Sequence, residues 1–275
     1  PDCAGGGNGM VNTPPKENKI AQLADEAWGR RAADVLERFR ARRPHVHCLT
    51  NIVAQNFTAN VLLAAGATPS MTINPVEIDT FVGMADAVLI NLGTLDDERM
   101  EAIHRAVLAC QRAGKDWALD PVFVQASPIR QTVALECLRG QPTLVRANAA
   151  ERKVLGKSLQ DTAAVLAVTG KIDCVQQGDR SVSIQNGVPM MDRVTAMGCA
   201  LTAVAVGFCA VEDNKHLATA AALSFFGVAG EWGLEQMDPQ TQGPGTFASR
   251  FLDALALVTP KMLEERARIS EEDLS

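Results

Sequence analysis

Three familiar signatures are missing from this 275-residue sequence. It has no Gly-x-x-x-x-Gly-Lys-Ser/Thr phosphate loop, no Gly-x-Gly-x-x-Gly at a strand-to-helix turn and no Gly-x-Ser-x-Gly nucleophile elbow. A nucleotide bound here needs a different cradle. Cys-x-x-Cys is absent too. The seven cysteines (Cys3, Cys48, Cys110, Cys137, Cys174, Cys199 and Cys209) are odd in number and irregularly spaced, so no disulfide framework is expected and a reducing cytoplasm is the expected compartment. Basic residues do not predominate: 26 Lys and Arg face 32 Asp and Glu, for a net charge of −6, which argues against nucleic acid as a partner. The longest apolar stretch, Cys199 to Val211, is too short to span a bilayer, and no basic segment leads into an apolar one near the start. Neither a membrane partner nor a signal peptide is expected. Internal repeats and convincing linkers are lacking as well.

What is present is apolar and alternating. Hydrophobic residues make up 47% of the chain, enough for a large core. Residues 1–18, with the run Gly5-Gly6-Gly7-Asn8-Gly9, are set apart as a flexible N-terminal segment, and 19–275 are read as one α/β domain. Ala21 to Ala41 has helical periodicity and ends before Pro44. Val46 to Leu49 is a short strand, Val53 to Ala65 a helix stopped by Gly66, and Thr68 to Ile73 an extended run, with Pro75 placed to open the next helix. Strands are expected at 86–91, 116–119, 143–146 and 165–169, with helices at 96–113 and 128–138 between them. That alternation implies a mostly parallel sheet covered on both faces. A hairpin follows at 173–185 around Gly178-Asp179, then helices at 198–211, 215–236 and 246–258; the Glu-rich tail from Lys261 reads as a solvated helix or frayed end.

In open α/β sheets, ligands bind beyond the carboxyl ends of strands and at helix N-termini. The residues after each strand are Thr50-Asn51, Asn91-Leu92-Gly93-Thr94, Asp120-Pro121, Arg146-Ala147-Asn148 and Thr169-Gly170. One polar strand end is ordinary turn chemistry; five suggest a lined crevice. The segment 192–200 opens a long apolar helix whose first N–H groups lack intrahelical partners, an anion site suited to a phosphate in transfer. Cys199 falls in that first turn. There the helix dipole would favour a thiolate able to take a hydroxyl proton, although from position alone a buried, inert cysteine is the simpler reading. Asn148 and Glu151 share one helix side, where they suit Mg²⁺ or, more plainly, a cap; Arg146 before them could pair with phosphate. His45, His47 and Cys48 have a metal site's composition, but strand alternation turns Cys48 away from the histidines and no second cluster completes four ligands.

Taken together, these segments resemble the hydroxyethylthiazole kinase family of the ribokinase-like superfamily. The matching residues are 47–51 and 56–71, then Asn91-Leu92-Gly93-Thr94, Leu119-Asp120-Pro121-Val122 and 146–151. The match continues with Ala167-Val168-Thr169-Gly170, 193–200, 243–247 and 252–255, so that it runs in order from about Val46 to Leu257. The resemblance implies a ribokinase-like fold. It also implies ATP- and Mg²⁺-dependent phosphorylation of the primary hydroxyl of 4-methyl-5-(2-hydroxyethyl)thiazole in thiamin salvage, by a homotrimer with sites between subunits.

The resemblance assigns roles residue by residue. Cys199 corresponds to the catalytic position, and Ala196, Met197 and Gly198 to the anion-hole turn. Met71, Asn51 and Ala196 correspond to substrate contacts, Arg146 and Thr169 to ATP-binding positions, and Glu151, Asn148 and Asp120 to the Mg²⁺ site. The sequence departs from the pattern at Ala196-Met197, where Gly-Thr is frequent, and at Ala147, where Gly is common. The anion hole is expected to survive if the turn at Ala196 avoids positive φ. The stretch 155–162 is shorter than the family's loop and helix there. Two alternatives stand beside this reading: another ribokinase-fold kinase of a small alcohol, or a non-catalytic relative that binds thiazole or nucleotide.

Overall fold

A computed structural model describes residues 16–272. The segment 1–15, most of what the sequence sets apart as an N-terminal tail, lies outside the described residues. The chain opens with helix α1 (Lys16–Arg42), strand β1 (His45–Leu49), α2 (Gln55–Ala65), β2 (Thr68–Ser70), α3 (Ile78–Met84) and β3 (Ala87–Asn91). It continues with α4 (Asp97–Ala113), β4 (Asp116–Asp120), α5 (Pro128–Arg139), β5 (Leu144–Asn148), α6 (Ala149–Leu155), α7 (Lys157–Gln160) and β6 (Val165–Thr169). The hairpin β7 (Asp173–Gln177) and β8 (Arg180–Ile184) follows, then α8 (Met197–Cys209), α9 (Lys215–Glu235), α10 (Pro244–Leu257), α11 (Pro260–Arg266) and β9 (Ile269–Glu271).

Local chemistry sets several of these boundaries. The Asp96 side chain accepts the Arg99 N–H at the start of α4, and Gly114 ends that helix at φ 58°, where a side chain would be strained. Ser127 caps α5, and Pro128 opens it with a φ already suited to a helix. Pro75 does not start the next helix as expected. It sits in a turn, and α3 begins three residues later at Ile78.

All nine strands form one sheet in the order β2-β1-β3-β4-β5-β6-β7-β8-β9. β2 to β6 run parallel, and β7, β8 and β9 extend the sheet antiparallel. The tail read as a solvated helix or a frayed end does form a helix, α11, and then adds the edge strand β9; both are anchored, by the buried Leu263 and Ile269. Alternation along the strands divides the core. Ala87, Leu89, Ala118 and Leu144 pack toward α1, α2, α8, α9 and α10. Val88, Ile90, Leu119 and Val145 pack toward α3, α4 and α5. Burying both faces of the central strands explains their continuous apolar runs.

The 21 residues of α9 are apolar and long enough to cross a membrane, more so than the Cys199–Val211 run singled out in the sequence, but 83% of its most apolar window is buried in this protein. It is the central core helix, which needs no polar face because it is surrounded. The chain order reverses at β1: β2 lies on one side of it and β3 on the other. A crevice at such a switch point, above the carboxyl ends of β1 and β3, is where this architecture binds ligands.

Candidate active site

Four consecutive parallel strands place one polar side chain each near their carboxyl ends. They are Asn91 on β3, Asp120 on β4, Arg146 on β5 and Thr169 on β6, all on the face that packs against α8. Asn91 and Asp120 are direct partners in the β3–β4 register. Asn51 comes from the turn after β1. Above them, α8 packs across β3 and β4 with its N-terminus at the same end.

Asn51, Asn91, Asp120 and Cys199 form one hydrogen-bonded corner. Asn51 Nδ2 donates to Asn91 Oδ1 at 3.0 Å and to Cys199 Sγ at 3.4 Å. Asn91 Nδ2 donates to Asp120 Oδ2 at 2.8 Å and to Cys199 Sγ at 3.2 Å. The Thr202 hydroxyl, one turn along α8, lies 3.3 Å from Asp120 Oδ2 and 2.9 Å from the Gly198 carbonyl. Two glycines permit these approaches. A Cβ on Gly93 would stand 2.6 Å from the Asn51 Cβ, and one on Gly198 would stand 2.5 Å from Arg146 Nη1.

Beside the corner lie buried polar atoms with no hydrogen-bond partner: Asp120 Oδ1, Arg146 Nε and Thr169 Oγ1. The Arg146 guanidinium approaches Asp120 Oδ1 only to 3.8 Å. Orphaned buried groups are rare because each forfeits hydration without recompense, so three on adjacent strands need a reason. Burial pushes the Asp120 carboxyl up to about 6, against the pull of Arg146, and Glu151 adds to the rise. Asp173, just after β6, is likewise raised to about 6 by burial although Gly170 N–H donates to it and Arg146 is near. Sequence reasoning passed over Asp173, whose only signal was its place at the start of the hairpin.

The structure decides two points that the sequence left open. Ala196, the residue before α8, adopts φ 68°, ψ 3°; the turn needs a left-handed residue and has an alanine in it. Cys199 is not poised as a thiolate. Burial pushes its thiol up to about 12, and the Asp120 charge adds to that, outweighing the Asn91 and Asn51 donors and Arg146.

The remaining expected residues are placed unevenly. Asn148 caps α6: its Oδ1 accepts the N–H groups of Ala150 and Glu151, both at 3.0 Å. That leaves no free oxygen lone pair for a metal, so the capping role weighed against metal ligation is the one seen. Glu151 is buried, with Oε2 accepting from Asn148 N–H at 2.9 Å and Oε1 from Phe123 N–H at 3.0 Å. Met71, one residue past the edge strand β2, packs half-buried on the α8 side of the core, separated from β3 by β1. His45 Nε2 and His47 Nδ1 both reach Ser70 Oγ, at 2.7 and 2.8 Å, while Cys48 faces the opposite core.

An open groove of about 560 Å³ lies on the other face of the sheet, lined by Arg152, Leu159, Leu166, Val168 and Gln176 among others. It shares no residue with the Asn51–Cys199 corner. It opens where the connection from β5 to β6 is reduced to α6, Gly156 and the four-residue α7.

Known proteins agree with this picture. A sequence model of the hydroxyethylthiazole kinase family matches residues 36–160 and 152–261. The two matched pieces overlap over residues 152–160, within α6 and α7. A probable hydroxyethylthiazole kinase of Agrobacterium fabrum is 43% identical over 243 residues, covering 88% of this chain and 96% of that protein. The solved structure of a hydroxyethylthiazole kinase from Pyrococcus horikoshii superposes with a TM-score of 0.81 at 32% identity, over 88% of this chain and 98% of the other. A ribokinase-like superfamily protein from Enterococcus faecalis gives a TM-score of 0.62 at 13% identity, over 83% and 95%, which shows the fold alone. With its ribokinase-like sheet and a match running through every strand end that builds the corner, the chain belongs to the hydroxyethylthiazole kinase family.

Proposed function

We propose that the chain transfers the γ-phosphoryl group of ATP to the primary hydroxyl of 4-methyl-5-(2-hydroxyethyl)thiazole, a step of thiamin salvage. The observation that carries this reading is the set of unpartnered buried atoms, Asp120 Oδ1, Arg146 Nε and Thr169 Oγ1, below the free N-terminus of α8. A cation, a hydroxyl and unpaired helix N–H groups gathered at one end of the sheet suit polyphosphate.

Although Ala196 has the positive φ that was expected to spoil it, the N–H groups of Met197, Gly198 and Cys199 remain without intrahelical partners, and in this reading they form the anion hole with the backbone of Ala196. The first intrahelical bond is made only by Ala200, whose N–H donates to the Ala196 carbonyl at 2.9 Å. Arg146 and Thr169 hold phosphate oxygens. Asn51 and Met71 help to seat the thiazole. Cys199, a neutral thiol at pH 7, orients the alcohol and does not deprotonate it in advance. Phosphoryl transfer is dominated by positioning and electrostatics and tolerates a late proton loss.

The residues present fit Mg²⁺. Asp120 has an unused carboxylate oxygen, and Glu151 stands close enough to raise the Asp120 pKa. Asp120 would hold the ion directly and Glu151 through water, a pattern usual for Mg²⁺ beside nucleotide phosphates. Bound there, Mg²⁺ would neutralise phosphate charge. Asn148 serves it only by positioning Glu151.

The same reading includes a cytoplasmic homotrimer. Ile52 and Val53 after β1, Leu63 on α2 and Val76 after β2 are all exposed, and Met71 follows the edge strand β2. A neighbouring copy covering this apolar edge would complete the substrate side of the site. The six cysteines among the described residues are free thiols, as a reducing compartment allows. ADP release in a coupled assay tests the activity. Release with ATP and Mg²⁺ that depends on added hydroxyethylthiazole is expected; release that ignores the thiazole, or none, would defeat the reading.

A further inference from the structure

Asn91 has no role in the reading above, yet it touches both reactive side chains of the corner. The orientation of its amide follows from its neighbours. Gly93 N–H donates to Asn91 Oδ1 at 3.0 Å, and Asn51 Nδ2 donates to the same oxygen at 3.0 Å. Two donors identify that atom as the oxygen, which turns both Nδ2 protons toward Asp120 Oδ2 and Cys199 Sγ. Asn51 is oriented in the same way: its Oδ1 accepts the Ala54 N–H at 3.1 Å, so its Nδ2 faces Asn91 and the sulfur. The Cys199 sulfur therefore accepts two amide N–H groups on its protein side. With that side of the sulfur occupied, the thiol is left to direct its own proton elsewhere.

We propose that Asn91 is a positioning residue for phosphoryl transfer: its amide ties the Cys199 sulfur to the Asp120 carboxylate and sets the direction in which the thiol meets the substrate alcohol. The inference rests on the proposed function, because it assumes that transfer takes place at this corner. Asn91 exchanges no proton or phosphoryl group. Its effect passes through Cys199 and Asp120, and a side chain lacking either N–H would release one of them.

The test pairs turnover with the chemistry of the sulfur itself. Steady-state ADP release is measured for wild type, Asn91→Ala and Asn91→Asp, and alkylation of Cys199 by iodoacetamide is followed against pH by peptide mass mapping, with melting curves as a check on folding. For Asn91→Ala, kcat is expected to fall about tenfold or more while KM for ATP stays within about threefold, the pattern of a lost interaction specific to the transition state. Loss of a donor to the sulfur is expected to slow Cys199 alkylation at fixed pH several-fold, a change that general loosening would reverse by exposing the thiol. In a Cys199→Ala background, adding Asn91→Ala should cost no more than about a further twofold, since coupled residues are not additive. Should Asn91→Ala fail to fold, the near-isosteric Asn91→Asp serves: it lacks the Nδ2 donor to the sulfur, so kcat is expected to fall with KM for ATP little changed, and Cys199 alkylation to slow. Unchanged kcat, faster or unchanged alkylation, or fully multiplicative losses would each overturn the inference. If the wild type shows no thiazole-dependent ADP release, the proposed function fails first, and the alkylation comparison still decides whether Asn91 controls the sulfur.

Discussion

Single residues here carry conflicts that the sequence hints at and only the structure resolves. Ala196 is an L-residue in the left-handed region, a placement that costs about 1–2 kcal/mol. Ala196→Gly is predicted to stabilise the fold by about 1 kcal/mol, read as a melting temperature a few degrees higher, with activity retained. A lower melting temperature would show that the turn relaxes in solution. Asp120 sets a second expectation. Its folded pKa, about 6, lies above the ordinary value of 3.8, so the folded chain binds this proton more tightly than the unfolded chain does. Stability from this group is fully present below about pH 4 and is lost as pH rises through about 6. Asp120→Asn should therefore gain stability relative to wild type at pH 7 and lose that gain near pH 4, while transfer collapses. An equal effect at both pH values would contradict a strained buried carboxylate. Asn51, Asn91, Asp120, Arg146 and Thr169 were legible because each stands at the end of an apolar strand run. The state of Cys199 was left between two readings, a helix-start thiolate and a buried thiol; burial beside Asp120, which only tertiary packing creates, decides for the thiol.

Among elements, α8 does the positioning, and its contact with β5 can be tested at one atom. A Cβ on Gly198 would collide with the Arg146 guanidinium. Gly198→Ala is predicted to push that side chain aside and raise KM for ATP several-fold with kcat less affected, much as Arg146→Ala would. If KM for ATP were unchanged in both variants, Arg146 would lose its phosphate role. The parallel strands and long helices were readable from periodicity because two-sided burial writes an unbroken apolar run and capping residues mark the ends. The C-terminal tail was readable only as far as its helix. Its contribution to the sheet rests on Leu263 and Ile269, too few apolar residues to show a period, and β9 exists only because β8 offers it an edge. Pro75 misled for a related reason, since it favours a first helical turn and a tight turn equally well.

At the scale of the whole molecule, the reversal of strand order at β1 and the packing of α8 across β3 and β4 bring residues from Asn51 to Cys199 together at one end of the sheet. The exposed apolar edge near Met71 predicts self-association, and sedimentation should give a trimer; a monomer at micromolar concentration would contradict a site shared between copies. The central claim is that phosphoryl transfer occurs under the N-terminus of α8, on an alcohol set against Cys199. It is tested most directly by following label from the γ-position of ATP into hydroxyethylthiazole, with wild type and Cys199→Ala at saturating ATP. Labelled thiazole phosphate from the wild type, with a rate at least about tenfold lower in Cys199→Ala and nearly unchanged ATP affinity, is the predicted result. Equal rates from the two proteins, or label found only in inorganic phosphate, would contradict it.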